Sequence, residues 1–307
     1  METCYNAFSM SLFPSAVLPD LNLLIPPTFA YIFSGVLGAI IGSFLNVVIH
    51  RLPRDESIVF PNSRCPSCGG VIAVYDNVPV VSYLLLAGRC RSCREPISAR
   101  YPAVELMTGL LFIAVAWRDG LSLALPFDFA FVSALVALIF IDAEHMILPN
   151  AITYPGMVFA LIARIVIPYV VGRPHFDDLG PLMQGALSGL PIWAASLVGG
   201  LLGALIGGGS LWLMGWTWEK LRGIEAMGLG DVKMMFMVGA YLGWRLTILT
   251  IFMGVLSGSI IGTFLMLRQG KRDMQMLLPF GVFLGIGALA ALLVGPHIVE
   301  WYARQFR

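Results

Sequence analysis

Two aspartates and two cysteine pairs are the residues of this chain whose types and spacing could do chemistry. Asp142 lies in Phe140-Ile141-Asp142-Ala143-Glu144-His145-Met146-Ile147-Leu148-Pro149-Asn150, and Asp231 closes Gly228-Leu229-Gly230-Asp231. Both stand at the edges of hydrophobic stretches. A carboxylate beside the hydrocarbon of a bilayer is costly, which makes each one a functional-site hypothesis. Two carboxylates held close together cannot both ionise cheaply, so a pair shares a proton near neutral pH. The ionised member can deprotonate a water while the protonated one polarises a peptide carbonyl and later protonates the leaving amine. A plain structural reading stands beside this one. Carboxylates are common at helix ends, and Asp231 at a helix start would serve as an N-cap. Glu144 competes with Asp142, but residues two apart on a helix face different ways, so only one of them points at Asp231.

The cysteine pairs are Cys65-Pro66-Ser67-Cys68 and Cys90-Arg91-Ser92-Cys93, with 21 residues between them. Paired CxxC knuckles at this spacing read as a four-thiolate zinc site. A closed Cys4 shell leaves no ligand position for substrate, so such a zinc is structural. Gly69, Gly70 and Gly88 supply the tight backbone that knuckles use. The competing reading is redox: two dithiols or two disulfides. Cys4, alone near the N-terminus, has no evident partner in either reading.

These groups must be positioned by a membrane protein. The chain has 307 residues, of which 58% are hydrophobic and 12% charged, and its mean hydropathy is +0.84. Soluble domains carry roughly 25% charged residues. Eight apolar stretches, about 27–49, 102–117, 123–141, 151–171, 190–216, 232–243, 246–267 and 278–296, are candidate spans. The sixth is short enough for a half-span. The fifth is Gly-rich (Gly199, Gly200, Gly203, Gly207, Gly208, Gly209), which permits close helix packing or a break. The expected fold is an all-α polytopic membrane protein of about eight transmembrane helices. Its divisions are a tail and first span over 1–50, a double-CxxC zinc module over 51–101, and a membrane core over 102–307.

Arg and Lys crowd the loops at 50–101, 217–233 and 268–277 and are sparse in the alternate loops, which hold Arg118, Arg173 and Arg245. The positive-inside rule then places the cysteine module in the cytoplasm, where stable disulfides are disfavoured. The same topology brings Asp142 and Asp231 out at one membrane face. The first 25 residues lack a basic n-region and a small-residue cleavage site, so an extracytoplasmic tail is expected there rather than a removable signal. A net charge of +1 gives no sign of a nucleic-acid partner, and none is expected.

Other polar residues carry weaker signals. Glu105 could pair with Arg100 or have a functional role. Ser43 and Asn46 read as helix–helix hydrogen bonders. Arg164 inside the fourth span has no evident explanation. His145 and Lys233 could tune the aspartates, or simply lie at the interface. No Ser-His-Asp triad, HExxH helix or phosphate loop is present, and Gly228-Leu229-Gly230 is at most half of a dinucleotide fingerprint.

Taken together, these stretches resemble the bifunctional type IV prepilin peptidases, which belong to the GxGD aspartic membrane proteases. The resemblance also takes in Gly42-Ser43-Phe44-Leu45-Asn46, Asp76-Asn77-Val78-Pro79, Gly88-Arg89-Cys90-Arg91-Ser92-Cys93 and Pro96-Ile97-Ser98-Ala99-Arg100-Tyr101-Pro102. It implies cytoplasmic-face cleavage of prepilins and pseudopilins after a Gly, usually before a Phe, in a bacterial inner membrane. N-methylation of the new terminus from S-adenosylmethionine would follow. It implies Asp142 and Asp231 as the catalytic pair, Cys65, Cys68, Cys90 and Cys93 as zinc ligands, and Gly88 as a residue linked to methyl transfer. Membrane lipid and prepilins are the implied partners, with homo-oligomerisation left open. Glu144 and Asn150 depart from aspartates frequent in the family, and neither departure touches the pair. Two rivals remain: a membrane scaffold or transporter whose carboxylates relay protons, and a peptidase without the methyltransferase.

Overall fold

A computed structural model describes residues 25–172, 174–176, 189–223, 228–269 and 279–305. The N-terminal tail with Cys4, and the basic stretch holding Lys271 and Arg272, lie outside the described residues. In lipid, backbone polar groups must be satisfied within their own segment, so apolar runs become helices. They are α1 (Pro27–Arg51), α2 (Val81–Leu85), α3 (Arg100–Asp119), α4 (Leu125–His145) and α5 (Asn150–Val171). After these come α6 (Ile192–Ala204), α7 (Ser210–Arg222), α8 (Leu229–Leu242), α9 (Trp244–Gln269) and α10 (Phe280–Gln305). Among the described residues the only β pairing is two isolated bridges, Arg64 with Val71 and Arg89 with Pro96, both in the cysteine segment.

The all-α expectation agrees with this architecture, but the count of eight spans is not established. Among the described residues the expected spans are helical, and six helices are long and apolar enough to cross a membrane: α1, α4, α5, the continuous α6–α7 unit, α9 and α10. The other two differ for physical reasons. The 20 residues of α3 include Arg100, Glu105, Arg118 and Asp119, which dilute its hydropathy. The 14 residues of α8 rise only about 21 Å, short of a hydrocarbon core of about 30 Å. Protein sheathes α8 instead, with Met234, Met235, Met237, Val238, Tyr241 and Leu242 all buried.

Small residues set the closest crossings. A Cβ on Gly38 would lie 2.8 Å from the Gly109 Cα, and one on Gly42 2.7 Å from the Glu105 Cα, so α1 and α3 pack backbone to backbone. The same holds where Gly203 of α6 meets Gly239 of α8. With lipid as solvent, such close packing replaces the hydrophobic drive between helices. Of the two behaviours expected of the Gly-rich fifth stretch, close packing is the one that forms; a π-helical turn at Leu205–Gly209 carries α6 into α7 without a break.

Where α3 ends and α4 begins, a polar network lies buried. The fully buried Asp128 accepts a hydrogen bond from the Tyr241 hydroxyl at 2.8 Å. His175 Nε2 lies 2.9 Å from it and Arg118 lies 3.4 Å away. Arg118 also pairs with Asp119 and donates to the Leu292 carbonyl. Removing one partner from a buried ionic cluster leaves the rest uncompensated, at a cost of about 3–5 kcal/mol. Asp128→Ala is therefore expected to lower the thermal midpoint in detergent markedly, and Asp128→Asn less so. An unchanged midpoint for Asp128→Ala would contradict this. Arg164, unexplained from sequence, is buried, donates to the Ala240 carbonyl at 3.1 Å and lies over the Phe176 ring.

At the opposite end of the bundle, α1 and α4 finish and α3 and α8 begin. Asn46 donates to the Tyr101 carbonyl at 3.0 Å. The pairing of Glu105 with Arg100, one of its two sequence readings, does not form. Arg100 pairs with Glu144 instead, and Glu105 accepts the Val80 N–H at 2.7 Å. Val80 has φ +61°, a strained conformation for a β-branched residue. The Glu105 carboxylate thus ties the cysteine segment to α3 at that point.

Candidate active site and metal centre

Asp142 sits in the last turn of α4. Met146 closes that helix in the left-handed region, returning its N–H to the Asp142 carbonyl at 2.9 Å. The chain then turns through Ile147-Leu148-Pro149 into α5. Asp231 lies in the first turn of α8, where Gly228 occupies the N-cap position. The N-cap role open to Asp231 from sequence is therefore not taken, and its carboxylate is left for other partners. A Cβ on Gly230 would lie 3.0 Å from the Leu148 Cβ. Glycine there lets the α4–α5 turn pack against the start of α8 and brings the two aspartate-bearing segments together.

The start of α10 meets both carboxylates. The Val282 N–H donates to Asp142 Oδ2 at 3.0 Å. The position a Cβ would take on Gly281 is 2.8 Å from Asp142 Oδ2 and 3.1 Å from Asp231 Oδ1. Both oxygens therefore flank one point, within the ~4–6 Å over which charges perturb each other's protonation. Asp142 is buried. Glu144 takes no part, because it faces Arg100 on the other side of α4. Lys233 is turned to the Asn150 side chain at 2.9 Å and the Tyr154 ring.

The four module cysteines converge. Their sulfurs lie within 4.8 Å of one another, and Cys65 Sγ is 3.9 Å from Cys93 Sγ. Tetrahedral zinc with Zn–S bonds near 2.3 Å needs sulfurs about 3.8 Å apart, whereas a disulfide needs about 2.05 Å. All four are free thiols. The knuckles repeat one geometry. Gly69 N–H bonds the Cys65 carbonyl and Arg94 N–H the Cys90 carbonyl, with φ of +69° and +63°. The Cys68 and Ser67 backbone N–H groups hold the Cys65 thiol down to about 6. Cys93 accepts the Glu95 N–H, which lowers it, yet desolvation and its thiol neighbours push it up to about 12. One thiolate is comfortable here. Four require a cation, so the donor set fits zinc. Arg91 clamps Asp76 with two hydrogen bonds of 2.7 and 2.6 Å, which holds the Asp76 carboxyl below its ordinary range.

Gly88 has φ +68°, and a Cβ there would lie 3.0 Å from the Tyr83 hydroxyl. Both observations give it a local reason to be glycine. It does not line the cavity of about 530 Å³ that opens between α1, α3 and α4, whose walls include His50, Arg54, Arg100, Tyr101 and Phe140.

Residues 129–263 match the Type IV leader peptidase family, and residues 36–119 match the Bacterial Peptidase A24 N-terminal domain. A prepilin leader peptidase/N-methyltransferase of Pseudomonas aeruginosa is 36% identical over 309 aligned positions, covering 93% of this chain and 98% of that protein. The chain belongs to the type IV leader peptidase family. Another relative of the same printed name, from Myxococcus xanthus, is 41% identical over 245 residues. That match covers 80% of this chain but 65% of the Myxococcus protein, so this chain spans less than two thirds of that relative's length. No solved structure matches the chain. The leader peptidase match holds both aspartates, the N-terminal match holds the four cysteines, and Gly281 lies beyond both.

Sequence reasoning missed Gly281 and Val282. The signal was weak, a Pro279-Phe280-Gly281 start to an apolar run, with no polar residue to draw attention.

Proposed function

We propose that this integral membrane enzyme removes the leader of type IV prepilins and pseudopilins, cutting after a Gly and usually before a Phe. It then methylates the new N-terminal amine, with S-adenosylmethionine as donor. Asp142 and Asp231 are the catalytic pair in this reading. The observation that carries it is the meeting of both carboxylates at one point beside Gly281.

The carboxylates share one proton. The ionised one takes a proton from water as the water oxygen bonds the scissile carbonyl carbon. The protonated one gives its proton to the carbonyl oxygen. In the tetrahedral species the C–N bond then breaks, and the amine leaves with a proton from the pair. Net chemistry is addition of one water, with no covalent enzyme intermediate. By the positive-inside rule, the Arg-rich loops support a cytoplasmic position for this end of the bundle. A prepilin held by its apolar helix would present its leader junction at that surface. Ile147 and Leu229, beside the pair in sequence and well exposed, offer apolar surface to such a helix.

Zinc in the four thiolates would be structural, since a Cys4 shell leaves no open position. S-adenosylmethionine supplies an electrophilic methyl group. The cavity between α1, α3 and α4 suits its chemistry, with Arg54 for a carboxylate, Tyr101 and Phe140 for a purine ring, and Glu144, already paired with Arg100, among its walls. Gly88 would serve methyl transfer by shaping the module. The test is purified protein with a prepilin and S-adenosylmethionine, followed by intact mass. Loss of the leader and gain of one methyl are expected. Cleavage without methylation would leave a peptidase alone. Neither change would favour a proton-relaying membrane scaffold or transporter.

A further inference from the structure

Gly281 is a poor residue for its local structure. It lies in the first turn of α10, buried, with no positive φ to require glycine. Within a helix, glycine is less favourable than alanine by roughly 0.5–1 kcal/mol. The reason for it must be space. One turn later, Gly285 makes room for an apolar neighbour, Ile139. Gly281 instead faces two carboxylate oxygens at 2.8 and 3.1 Å. A methyl carbon there would press hard on Asp142 Oδ2 and more lightly on Asp231 Oδ1, so the bare α-carbon lets both carboxylates close on the backbone of α10. The Val282 N–H, the next donor along α10, fixes Asp142 Oδ2 on one side of the same point.

We propose that Gly281 is a positioning residue for leader cleavage: the absence of a side chain there lets the Asp142 and Asp231 carboxylates close on the start of α10 and on each other. This rests on the reading of the two aspartates as the catalytic pair. A Cβ at this position pushes the carboxylates apart. Misplacement of a reacting group by about 1 Å costs about 100-fold.

The test uses the full-length enzyme in vesicles and a purified prepilin. Gly281→Ala is expected to lower kcat for cleavage at least about 100-fold, with KM and thermal midpoint nearly unchanged. Methylation of an already cleaved pilin should persist. Near-normal kcat overturns the inference, as does a loss shared with KM and thermal midpoint, which would mark ordinary packing. A second variant separates positioning from packing. Gly285→Ala, whose added methyl would meet Ile139 rather than a carboxylate, is expected to lower the thermal midpoint more than kcat, and a kcat loss as large as that of Gly281→Ala overturns the inference. Asp142→Asn separates the two readings. If it cleaves normally, the pair itself is wrong and the inference falls with it. If it is inactive while Gly281→Ala is fully active, only the role of Gly281 is wrong.

Discussion

Asp142→Asn and Asp231→Asn, made separately, are each expected to lower kcat for leader cleavage by at least about 1,000-fold, the scale of losing a general acid or base that acts within a unit. Asparagine keeps the shape of the side chain. At position 142 its carbonyl oxygen can still accept the Val282 N–H that now bonds Asp142 Oδ2. What it cannot do is take or release a proton. The loss should therefore fall on kcat rather than on prepilin binding, and methylation of an already cleaved pilin should survive in both variants. Thermal midpoints should hold or rise, because removing one of two facing carboxylates relieves their repulsion. Quench-flow cleavage assays with measured prepilin affinity separate these quantities.

The second large effect lies in the cysteine module. Cys65→Ser and Cys90→Ser are each expected to abolish metal retention and open the segment 51–100 to trypsin, speeding proteolysis there by more than about tenfold. The sulfurs already sit at the spacing of a tetrahedral zinc site. A segment of this size has too little core to be stable alone, so a metal bound there would supply its folding free energy. The segment is tied to the bundle through Val80 and Glu105, so its loss should also weaken processing of prepilin. Elemental analysis should find about one zinc per chain. A metal-free protein with a protease-resistant segment would refute a structural zinc.

Much of this arrangement was legible in the residues. Apolar runs have one stable form in lipid, and the spacing of Cys65, Cys68, Cys90 and Cys93 has few uses. Counting spans was enough to bring Asp142 and Asp231 to one end of the bundle. What could not be read depends on contacts between distant segments. Asp128 looks like a stray charge at the edge of an apolar span, and its partners Arg118, His175 and Tyr241 come from separate helices and a loop. Arg100 had two acids to choose from, and only the packing of α3 against α4 assigns it to Glu144. Gly281 lies fifty positions beyond Asp231, and a glycine in an apolar helix announces nothing until its neighbours are known. The short α8 was visible as a short apolar run. That protein rather than lipid surrounds it was not, because burial is a property of the whole bundle.

In the proposed mechanism Asp142 and Asp231 act as one unit on the scissile bond. The most direct measurement is single-turnover cleavage of a purified prepilin by the unmodified enzyme, Asp142→Asn, Asp231→Asn and the double variant. Members of one catalytic unit are grossly non-additive. The double variant is expected to be no slower than the slower single variant, within a few-fold. Two losses that multiply in the double variant, or a single variant that cleaves at the unmodified rate, would contradict it.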